Sequence, residues 1–244
     1  MIWPKGGSAV VSIICCTMRP SFMENVFSNY NRQSFTDKEM IIILNQDDMD
    51  IDRWKEEAKK YNNVSVYQLS EKCQLGKCMN YGIEKARYSI IAKFDDDDYY
   101  APDYIKEAVH TLRTKKASIV GKHTSFLFFE EKKALMLFRD GGEKKYRRHI
   151  KGGSLLFYKS VWKKVKFNEQ LVHASDADFL RRCKRKDYRI YSSSKFNYVC
   201  IRRKDISSHT QKKSTEEYMS QCKLIKYTND YPPLITKSFA SLSI

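Results

Sequence analysis

The sequence lacks a hydrophobic run long enough to cross a membrane, and it lacks the usual paired-cysteine signatures. The longest uncharged apolar run near the start, residues 9–16, is far shorter than a bilayer span. Residues 1–7 have neither the apolar segment nor the small-residue cleavage site of a secretory signal. The seven cysteines include no Cys-x-x-Cys pair, which argues against a zinc site or a disulfide framework. We therefore expect a cytoplasmic protein with reduced, mostly buried thiols.

The chain also has too few acidic residues to balance its basic ones. Lysine and arginine number 45 against 29 aspartates and glutamates, so the net charge is +16. A surface this cationic indicates an anionic partner, such as a nucleotide, an acidic polymer, a nucleic acid or a lipid headgroup. The 42% hydrophobic content is ample for a packed core in 244 residues, and it excludes a mainly disordered chain.

Apolar runs and helical patterns alternate along the first hundred residues. The apolar runs predict strands over residues 10–15, 40–44, 64–69 and 89–94. Four-residue spacing and polar helical patterns predict helices over residues 22–30, 54–61 and 77–87. This alternation predicts an α/β fold, with an open, mostly parallel sheet and helices on both faces.

The second half has a different pattern, which predicts a mixed or antiparallel region. Pro102 can open a helix that runs to about Thr114. Short strands are expected over residues 118–122, 124–129, 134–139, 154–158, 189–192 and 197–202, and a helix over 176–183. Ser214 and Glu217 form a capping box for a last helix that runs to about Tyr227.

Residues that can carry chemistry follow three of the predicted parallel strands. Thr17 and Arg19 follow the first strand, Asn45 and Gln46 follow the second, and the aspartates 95–98 follow the fourth. Ligands bind beyond the carboxyl ends of the strands in an open parallel sheet, because helix N-termini point inward there. One pocket is therefore expected to collect a cation, side-chain amides and a cluster of carboxylates.

The four adjacent aspartates require a counter-charge. Each close pair of carboxylates at a buried strand end repels by about 1 kcal/mol or more. Magnesium and manganese bind carboxylate and phosphate oxygens together, so the cluster predicts a Mn2+ or Mg2+ site that also binds a diphosphate. The alternative is an acidic loop that caps the helix beginning at Pro102, although a cap needs one carboxylate rather than four.

Residues 94–102, with the sequence Phe-Asp-Asp-Asp-Asp-Tyr-Tyr-Ala-Pro, resemble the Asp-x-Asp-Asp-x-x-x-Pro segment of family 2 glycosyltransferases with the GT-A fold. The resemblance runs from about Ser8 to His209 and includes Leu75-Gly76 and Gly152-Gly153-Ser154. It implies one GT-A domain over residues 1–212, with a nucleotide-binding half (about 8–102) and an acceptor half (about 103–212). A C-terminal helix and tail over residues 213–244 would follow, with room for a further region.

The resemblance implies a reaction as well as a fold. Such enzymes move a sugar from a nucleoside-diphosphate-sugar, here of UDP, CDP or dTDP type, to a hydroxyl acceptor with a divalent metal. More narrowly, the chain resembles glycosyltransferases of bacterial envelope polysaccharide synthesis and of spore maturation. The expected acceptor is therefore a glycan or envelope polymer, and contact with a membrane or spore surface is compatible with this assignment.

The same resemblance assigns roles to the aspartate cluster. Asp95 and Asp97 would meet the nucleotide ribose and the metal, with Asp97 as the direct ligand, and Asp96 and Asp98 would orient them. His209 falls where related enzymes often place a C-terminal histidine that completes the metal shell. The alternative for His209 is an ordinary polar residue.

On the acceptor side, residues 175–178 match the family's acidic pair at the start of a helix. Asp176 falls on the general-base position, with Asp178 beside it on the acceptor side, while Ser175 replaces the usual glutamate. A carboxylate there can accept the proton of an attacking hydroxyl, and inversion of configuration would follow. The alternative is that Ser175 caps the helix and both aspartates occupy its first turn.

The expected nucleoside loop departs from the family's pattern. Many members have two aspartates where this chain has Asn45 and Gln46, and a side-chain amide can satisfy either uracil or cytosine because it donates and accepts hydrogen bonds. Met79 occupies a position where many relatives have arginine. Lys77 or Arg19 is therefore expected to supply positive charge to the phosphates.

A basic, glycine-rich loop over residues 140–153 is a candidate lid. Arg147 and Arg148 would order over the diphosphate or hold an acidic acceptor. The alternative is a solvated basic loop with no role in the reaction.

Other functions that suit this sheet or this charge lack their signatures. Residues 17–22 contain no glycine, as a sugar nucleotidyltransferase would require, no Gly-x-Gly-x-x-Gly occurs, and the aspartates follow the wrong strand for an aspartate-dependent phosphatase. A nucleic-acid-binding module would explain the charge, but the cationic residues are scattered and unmetallated aspartates repel phosphate, so no nucleic-acid partner is expected. An inactive glycosyltransferase-like scaffold stays open, because Asn45, Met79 and Ser175 depart from the family's pattern.

Overall fold

Two β-sheets organise the part of the chain that the computed structural model describes, residues 10–205 and 214–242. The strands of the larger sheet are β1 (Val11–Thr17), β2 (Lys38–Leu44), β3 (Val64–Gln68), β4 (Ile90–Asp95), β6 (Ile119–Gly121), β9 (Lys145–Tyr146), β10 (Leu156–Tyr158) and β11 (Ile190–Ser192). The smaller sheet contains β5 (Tyr99–Tyr100), β7 (Ser125–Phe129), β8 (Ala134–Phe138), β12 (Tyr198–Arg202) and β13 (Cys222–Tyr227).

In the described part of the chain, helices connect about half of the pairs of consecutive strands. They are α1 (Met23–Asn31), α2 (Ile51–Ala58), α3 (Leu75–Lys85), α4 (Tyr104–Thr114), α5 (Lys159–Lys164), α6 (Ser175–Arg185), α7 (Thr215–Met219), α8 (Pro232–Ile235) and α9 (Phe239–Leu242). Short 3-10 turns lie at Pro20–Phe22 and Gly152–Ser154. Within residues 10–205 and 214–242, no helix combines the length and the apolar character that a membrane crossing needs.

The larger sheet has the strand order β3-β2-β1-β4-β10-β6-β11-β9. Its first four strands are parallel, as the alternating pattern predicted. Strand β10 then runs antiparallel to both β4 and β6, which confirms the predicted mixed character of the second half. The strands of the second half therefore continue the sheet that the first half begins.

Strand β1 is buried because helices cover both faces of the sheet. Ile13 packs in a cluster with Phe27 of α1, whereas its neighbour Ile14 packs in the opposite cluster with Met79 of α3. This arrangement follows from the alternation of side chains along a strand, and it explains why the strand is an almost continuous apolar run. From β1 the chain moves to β2 and β3 on one side, and β4 lies on the other, so the gap between β1 and β4 is the switch point where open α/β sheets bind ligands.

The C-terminal region differs from the prediction. Ser214 does cap a helix, because its hydroxyl accepts a hydrogen bond from the Glu217 N–H at 3.1 Å. The helix ends at Met219, however, and Cys222–Tyr227 forms strand β13 antiparallel to β8. The predicted helix to Tyr227 is therefore wrong, because pairing with the backbone of β8 outweighs local helical preference.

Three short elements were also missed by the sequence analysis. Helix α5 has six residues, and strands β5 and β9 have two residues each. Strand β9 lies inside the predicted basic loop, where Lys145 and Tyr146 pair with β11. Elements this short contain too few residues for a hydrophobic period to be read from the sequence.

Asn80 joins helix α3 to the segment that follows α5. Its side-chain N–H donates to the Phe167 carbonyl at 2.9 Å, and its oxygen accepts from Trp162 Nε1 at 2.8 Å and from the Phe167 N–H at 3.0 Å. Gly76, one turn earlier, lies so close to this segment that a Cβ there would be 2.1 Å from the Asn168 carbonyl oxygen. The first and second halves of the sequence are therefore packed together at backbone distance here.

This close contact predicts the effect of adding a methyl group at position 76. We expect Gly76→Ala to lower the free energy of unfolding by about 1–3 kcal/mol, because the Asn168 carbonyl is backbone and can move only with its segment. Lys77→Ala, at an exposed position one residue further along the helix, should change it by less than about 0.5 kcal/mol. Urea denaturation measures the free energy of unfolding of both variants. Equal urea midpoints for Gly76→Ala and wild type would contradict the prediction.

Candidate active site

Arg19 and the aspartates 95–98, which were predicted to share one pocket, lie together at the carboxyl ends of β1 and β4. Cys16 is in register with Asp95, so the turn after β1 lies beside the aspartate segment. Thr17 donates a hydrogen bond to Asp96 Oδ2 at 2.5 Å, and Arg19 Nε donates to the same oxygen at 3.1 Å. Asp96 is 3% exposed. This carboxylate therefore binds the turn after β1 to the end of β4.

Asp97 lies between two arginine side chains. Arg19 Nη1 is 3.1 Å from Asp97 Oδ2, and Arg203 forms an ion pair with the same oxygen. Arg203 directly follows strand β12 of the smaller sheet. Arginine side chains that follow strands of both sheets therefore lie beside Asp97.

Asp98 connects the aspartate segment to β12. The Tyr198 hydroxyl donates to Asp98 Oδ2 at 2.5 Å, and the Ile201 N–H donates to Oδ1 at 3.1 Å. Burial raises the pKa of Asp98 to about 8, and the charges of Asp97 and Asp95 act in the same direction.

Two asparagines of α1 hold the backbone of the aspartate turn. Asn25 donates to the carbonyls of Asp96 and Asp98 at 2.7 and 3.1 Å, and Asn29 donates to the Asp98 carbonyl at 2.8 Å. Asn29 Oδ1 also accepts a hydrogen bond from the Tyr100 N–H at 3.1 Å. These bonds satisfy backbone groups that a tight acidic turn would otherwise leave unpaired.

Lys93 connects the aspartate segment to the predicted base. Its ammonium forms an ion pair with Asp95 and lies 3.1 Å from Asp176 Oδ2 at the start of α6. Burial opposes the charged form of Lys93, but Asp176 and Asp95 outweigh it and raise the pKa of the ammonium above its usual value. Asp176 Oδ1 is buried and has no hydrogen-bond partner among the described residues.

Gly152 and Gly153 lie directly against these carboxylates. A Cβ at Gly152 would be 2.2 Å from Asp176 Oδ2, and a Cβ at Gly153 would be 2.5 Å from Asp95 Oδ2. The Tyr100 hydroxyl donates to the Gly153 carbonyl at 2.5 Å and accepts from the Asp95 N–H at 2.7 Å. Only residues without a side chain allow this approach.

The expected nucleoside loop lies at the end of β2, beside the end of β1. The Asn45 N–H donates to the Thr17 carbonyl at 2.7 Å, and its side-chain amide donates to the Ser70 carbonyl at 2.8 Å. The Gln46 carbonyl accepts a hydrogen bond from the Gln68 side chain at 2.9 Å. Lys77 lies exposed in the first turn of α3.

The structure does not bring the predicted lid residues to the aspartates. The Arg147 N–H donates to the Ile190 carbonyl at 2.9 Å, next to β9, and Arg148 is exposed. Strand β9 is four positions from β4 in the sheet, which is roughly 19 Å at the usual strand spacing. Asp178 is bound by two arginines of its own helix, at 2.5 and 2.6 Å. His209 lies outside the described residues.

Lys93 and Arg203 were missed by the sequence analysis. A signal for Lys93 was present, because a lysine inside an otherwise apolar strand needs a buried partner. Arg203 gave no local signal, since its contact with Asp97 depends on the pairing of β12 with β7 and β5. Within residues 10–205 and 214–242, no group of three or more His, Cys, Asp or Glu side chains is arranged to hold a metal ion.

Comparison with known proteins assigns the chain to a family. Residues 12–164 match the family model described as Glycosyl transferase family 2. This match covers more than half of the 244 residues. The chain belongs to glycosyl transferase family 2.

Known proteins resemble the chain in sequence or in fold. It is 27% identical to the O-antigen biosynthesis glycosyltransferase WbnJ of Escherichia coli over 160 residues, which are 63% of this chain and 58% of that protein. The structure of S. aureus TarS 1-349 in complex with UDP-GlcNAc matches with a TM-score of 0.60 and 19% identity, over 82% of this chain and 61% of that one.

A second solved structure gives the same degree of likeness. The mannosyltransferase PcManGT from Pyrobaculum calidifontis, in complex with GDP-Man and Mn2+, matches with a TM-score of 0.60 and 14% identity, over 81% of this chain and 57% of that one. The chain spans about three fifths of the length of these relatives. The predicted GT-A fold of family 2 is confirmed.

The burial of Asp98 predicts a pH-dependent stability. An unfolded aspartate has a pKa of about 3.9, whereas that of Asp98 in the folded chain is about 8, so between these values the folded chain binds one more proton. The stability that this proton contributes is fully present below about pH 4 and is lost as the pH rises through about 8. We expect the unfolding free energy of wild type, relative to Asp98→Asn, to fall by about 1.4 kcal/mol per pH unit across this window.

Urea unfolding of both proteins between about pH 5 and about pH 8 measures this difference. Asp52→Asn, at a side chain that is 90% exposed, is the matched control and should leave the pH dependence of wild type unchanged. If the unfolding free energies of wild type and Asp98→Asn changed equally with pH, Asp98 would not be the group that holds this proton.

Proposed function

We propose that the chain transfers a sugar from a nucleoside-diphosphate-sugar to a hydroxyl group of an acceptor glycan. The observation that carries this proposal is the shared ammonium of Lys93, which contacts Asp95 at the end of β4 and Asp176 at the start of α6. A donor bound at the first carboxylate and an acceptor activated at the second would therefore meet at one point.

The relatives support the class of donor and of acceptor. TarS is solved in complex with UDP and with UDP-GlcNAc, and PcManGT in complex with GDP-Man. A nucleotide-sugar donor at the ends of β1, β2 and β4 is consistent with these complexes. The O-antigen biosynthesis relative supports an envelope polysaccharide as acceptor. The narrower role in spore-surface polysaccharide synthesis stays a prediction from sequence resemblance.

Asp176 is the proposed general base. Its Oδ2 is held by Lys93, whereas its Oδ1 has no partner among the described residues. In the proposed step, the carboxylate takes the proton of the acceptor hydroxyl while that oxygen attacks the anomeric carbon. The bond from the anomeric carbon to the diphosphate breaks on the opposite face, so the nucleoside diphosphate leaves and the configuration inverts. Retention of configuration in the product, read by NMR, would contradict this step.

A divalent metal is part of the proposal because the donor atoms suit it. Asp95 and Asp97 supply carboxylate oxygens, and Mn2+ and Mg2+ prefer such oxygens together with those of phosphate. These two aspartates would hold the ion, which would neutralise the charge that develops on the leaving diphosphate. The Mn2+ complex of PcManGT supports this choice. Full transfer activity after treatment with EDTA would contradict this part of the proposal.

Asn45 supports a choice between pyrimidine bases. The Ser70 carbonyl can only accept, so it fixes the amide with its N–H toward Ser70 and leaves Oδ1 without a partner among the described residues. Oδ1 can accept the N3 hydrogen of uracil or thymine, whereas cytosine has no N3 hydrogen and can donate to it only through its 4-amino group. The proposed donor is therefore a UDP-sugar or dTDP-sugar rather than a CDP-sugar.

Removing the charge of the proposed base should abolish transfer. We expect Asp176→Asn to lower kcat by about 10²- to 10⁴-fold, because the amide cannot accept the proton of the acceptor hydroxyl. Its Kd for UDP should stay near that of wild type. Asp187→Asn, at the exposed turn after α6 with a φ of 60° that asparagine also adopts, is the matched control and should keep kcat. Near-normal transfer by Asp176→Asn would refute the base assignment.

The orientation of Asn45 predicts the order of nucleotide affinities. We expect UDP to bind about tenfold more tightly than CDP, because one hydrogen bond to the N3 position distinguishes them. Asn45→Ala should remove most of this preference and leave CDP binding almost unchanged. Isothermal titration calorimetry of wild type and Asn45→Ala with UDP and with CDP measures the four dissociation constants. Tighter binding of CDP than of UDP by wild type would contradict the prediction.

A further inference from the structure

Lys93 is a charged residue inside a buried strand. It lies in β4 between Ala92 and Phe94, and it is 2% exposed. A buried ammonium is stable only when opposite charges and hydrogen bonds compensate for the lost water. The charged state of Lys93 therefore depends on the side chains that surround its ammonium.

The two carboxylates that compensate Lys93 come from different halves of the domain. Asp95 lies two residues further along β4, so its side chain is on the same face of the strand. Asp176 comes from α6, and its Oδ2 lies 3.1 Å from the ammonium. One ammonium thus sets the position of an acceptor-side carboxylate relative to a donor-side one.

The Gly152–Ser154 turn lies directly against the Asp176 side chain. A Cβ at Gly152 would lie 2.2 Å from Asp176 Oδ2, 2.8 Å from its Cγ and 2.9 Å from its Cβ. Any side chain at position 152 would therefore push the carboxylate away from its present place. The absence of a side chain at position 152 and the ammonium of Lys93 thus both determine where this carboxylate lies.

We infer that Lys93 is a positioning residue that acts through Asp176. It holds the carboxylate by Oδ2 and so leaves Oδ1, which has no partner among the described residues, for the acceptor hydroxyl. This inference rests on the proposed function, because it concerns the same base. It assigns no proton transfer to Lys93, which touches neither the donor nor the acceptor in the proposed step.

A double-mutant cycle tests the inference. Lys93→Met removes the ammonium and keeps an unbranched apolar chain, and Asp176→Asn removes the charge of the base. We expect each single variant to lower kcat by about 100-fold or more, because a misplacement of the base by about 1 Å is enough for such a loss. The double variant should lie within about threefold of Asp176→Asn if Lys93 acts on kcat through Asp176 rather than through Asp95, its other ion-pair partner.

A second variant tests the same idea without disturbing the buried charge. Gly152→Ala leaves Lys93 and Asp176 in the chain but displaces the carboxylate. We expect kcat to fall by at least about tenfold while the Kd for UDP stays within about threefold of wild type. This split between kcat and Kd separates a positioning role from a general loss of structure.

Lys122→Met is the matched control for the loss of a buried ammonium. Lys122 is 1% exposed and lies 3.0 Å from both carboxylate oxygens of Glu107 in α4. Lys122→Met should lower the melting temperature, as is expected of Lys93→Met, but it should keep kcat within about threefold of wild type.

The outcomes distinguish this inference from the proposed function. If Asp176→Asn is inactive but Lys93→Met or Gly152→Ala keeps normal kcat, the inference about Lys93 is overturned and the proposed base stands. Losses that multiply in the double variant would also overturn it. If Asp176→Asn is fully active, the proposed base is wrong and the inference falls with it.

Discussion

Charge compensation within a buried group of carboxylates is the constraint on which the candidate active site depends. The aspartates 95–98 end one strand, and Asp176 approaches them from α6. Buried carboxylates remain ionised only when cations and hydrogen bonds replace the lost water. Here the cations are Arg19 after β1, Lys93 within β4 and Arg203 after β12. Because of this electrostatic requirement, both sheets and helix α6 contribute side chains to one cluster.

The four consecutive aspartates serve different purposes because a strand and a tight turn send their side chains in different directions. Asp96 and Asp98 are both 3% exposed and bond to protein groups, the first to the turn after β1 and the second to β12. Asp95 forms an ion pair with Lys93, and Asp97 forms ion pairs with Arg19 and Arg203. Asp96 and Asp98 thus hold the frame, and Asp95 and Asp97 are the carboxylates that the proposed function assigns to the donor and the metal ion.

How much the sequence predicted depended on how local each signal was. The parallel strands of the first half and the aspartates at the end of β4 were predictable, because a buried strand and its end are encoded within a few residues. The contact of Lys93 with Asp176 was not, since it depends on how α6 docks on the sheet. The capping box at Ser214 was correct, but the pairing of β13 with β8 decided what followed it. For Arg147 and Arg148, composition indicated a basic loop but could not locate it at the far edge of the sheet.

The balance of charge explains why the proposed function includes a metal ion. Among the described residues, the carboxylates of Asp95, Asp96, Asp97 and Asp176 share the three cationic side chains of Arg19, Lys93 and Arg203 in ion pairs. A bound diphosphate would add negative charge beside these carboxylates, and each pair of like unit charges 4 Å apart costs about 4 kcal/mol at an effective dielectric constant of about 20. A divalent ion between carboxylates and phosphates would turn this repulsion into shared coordination.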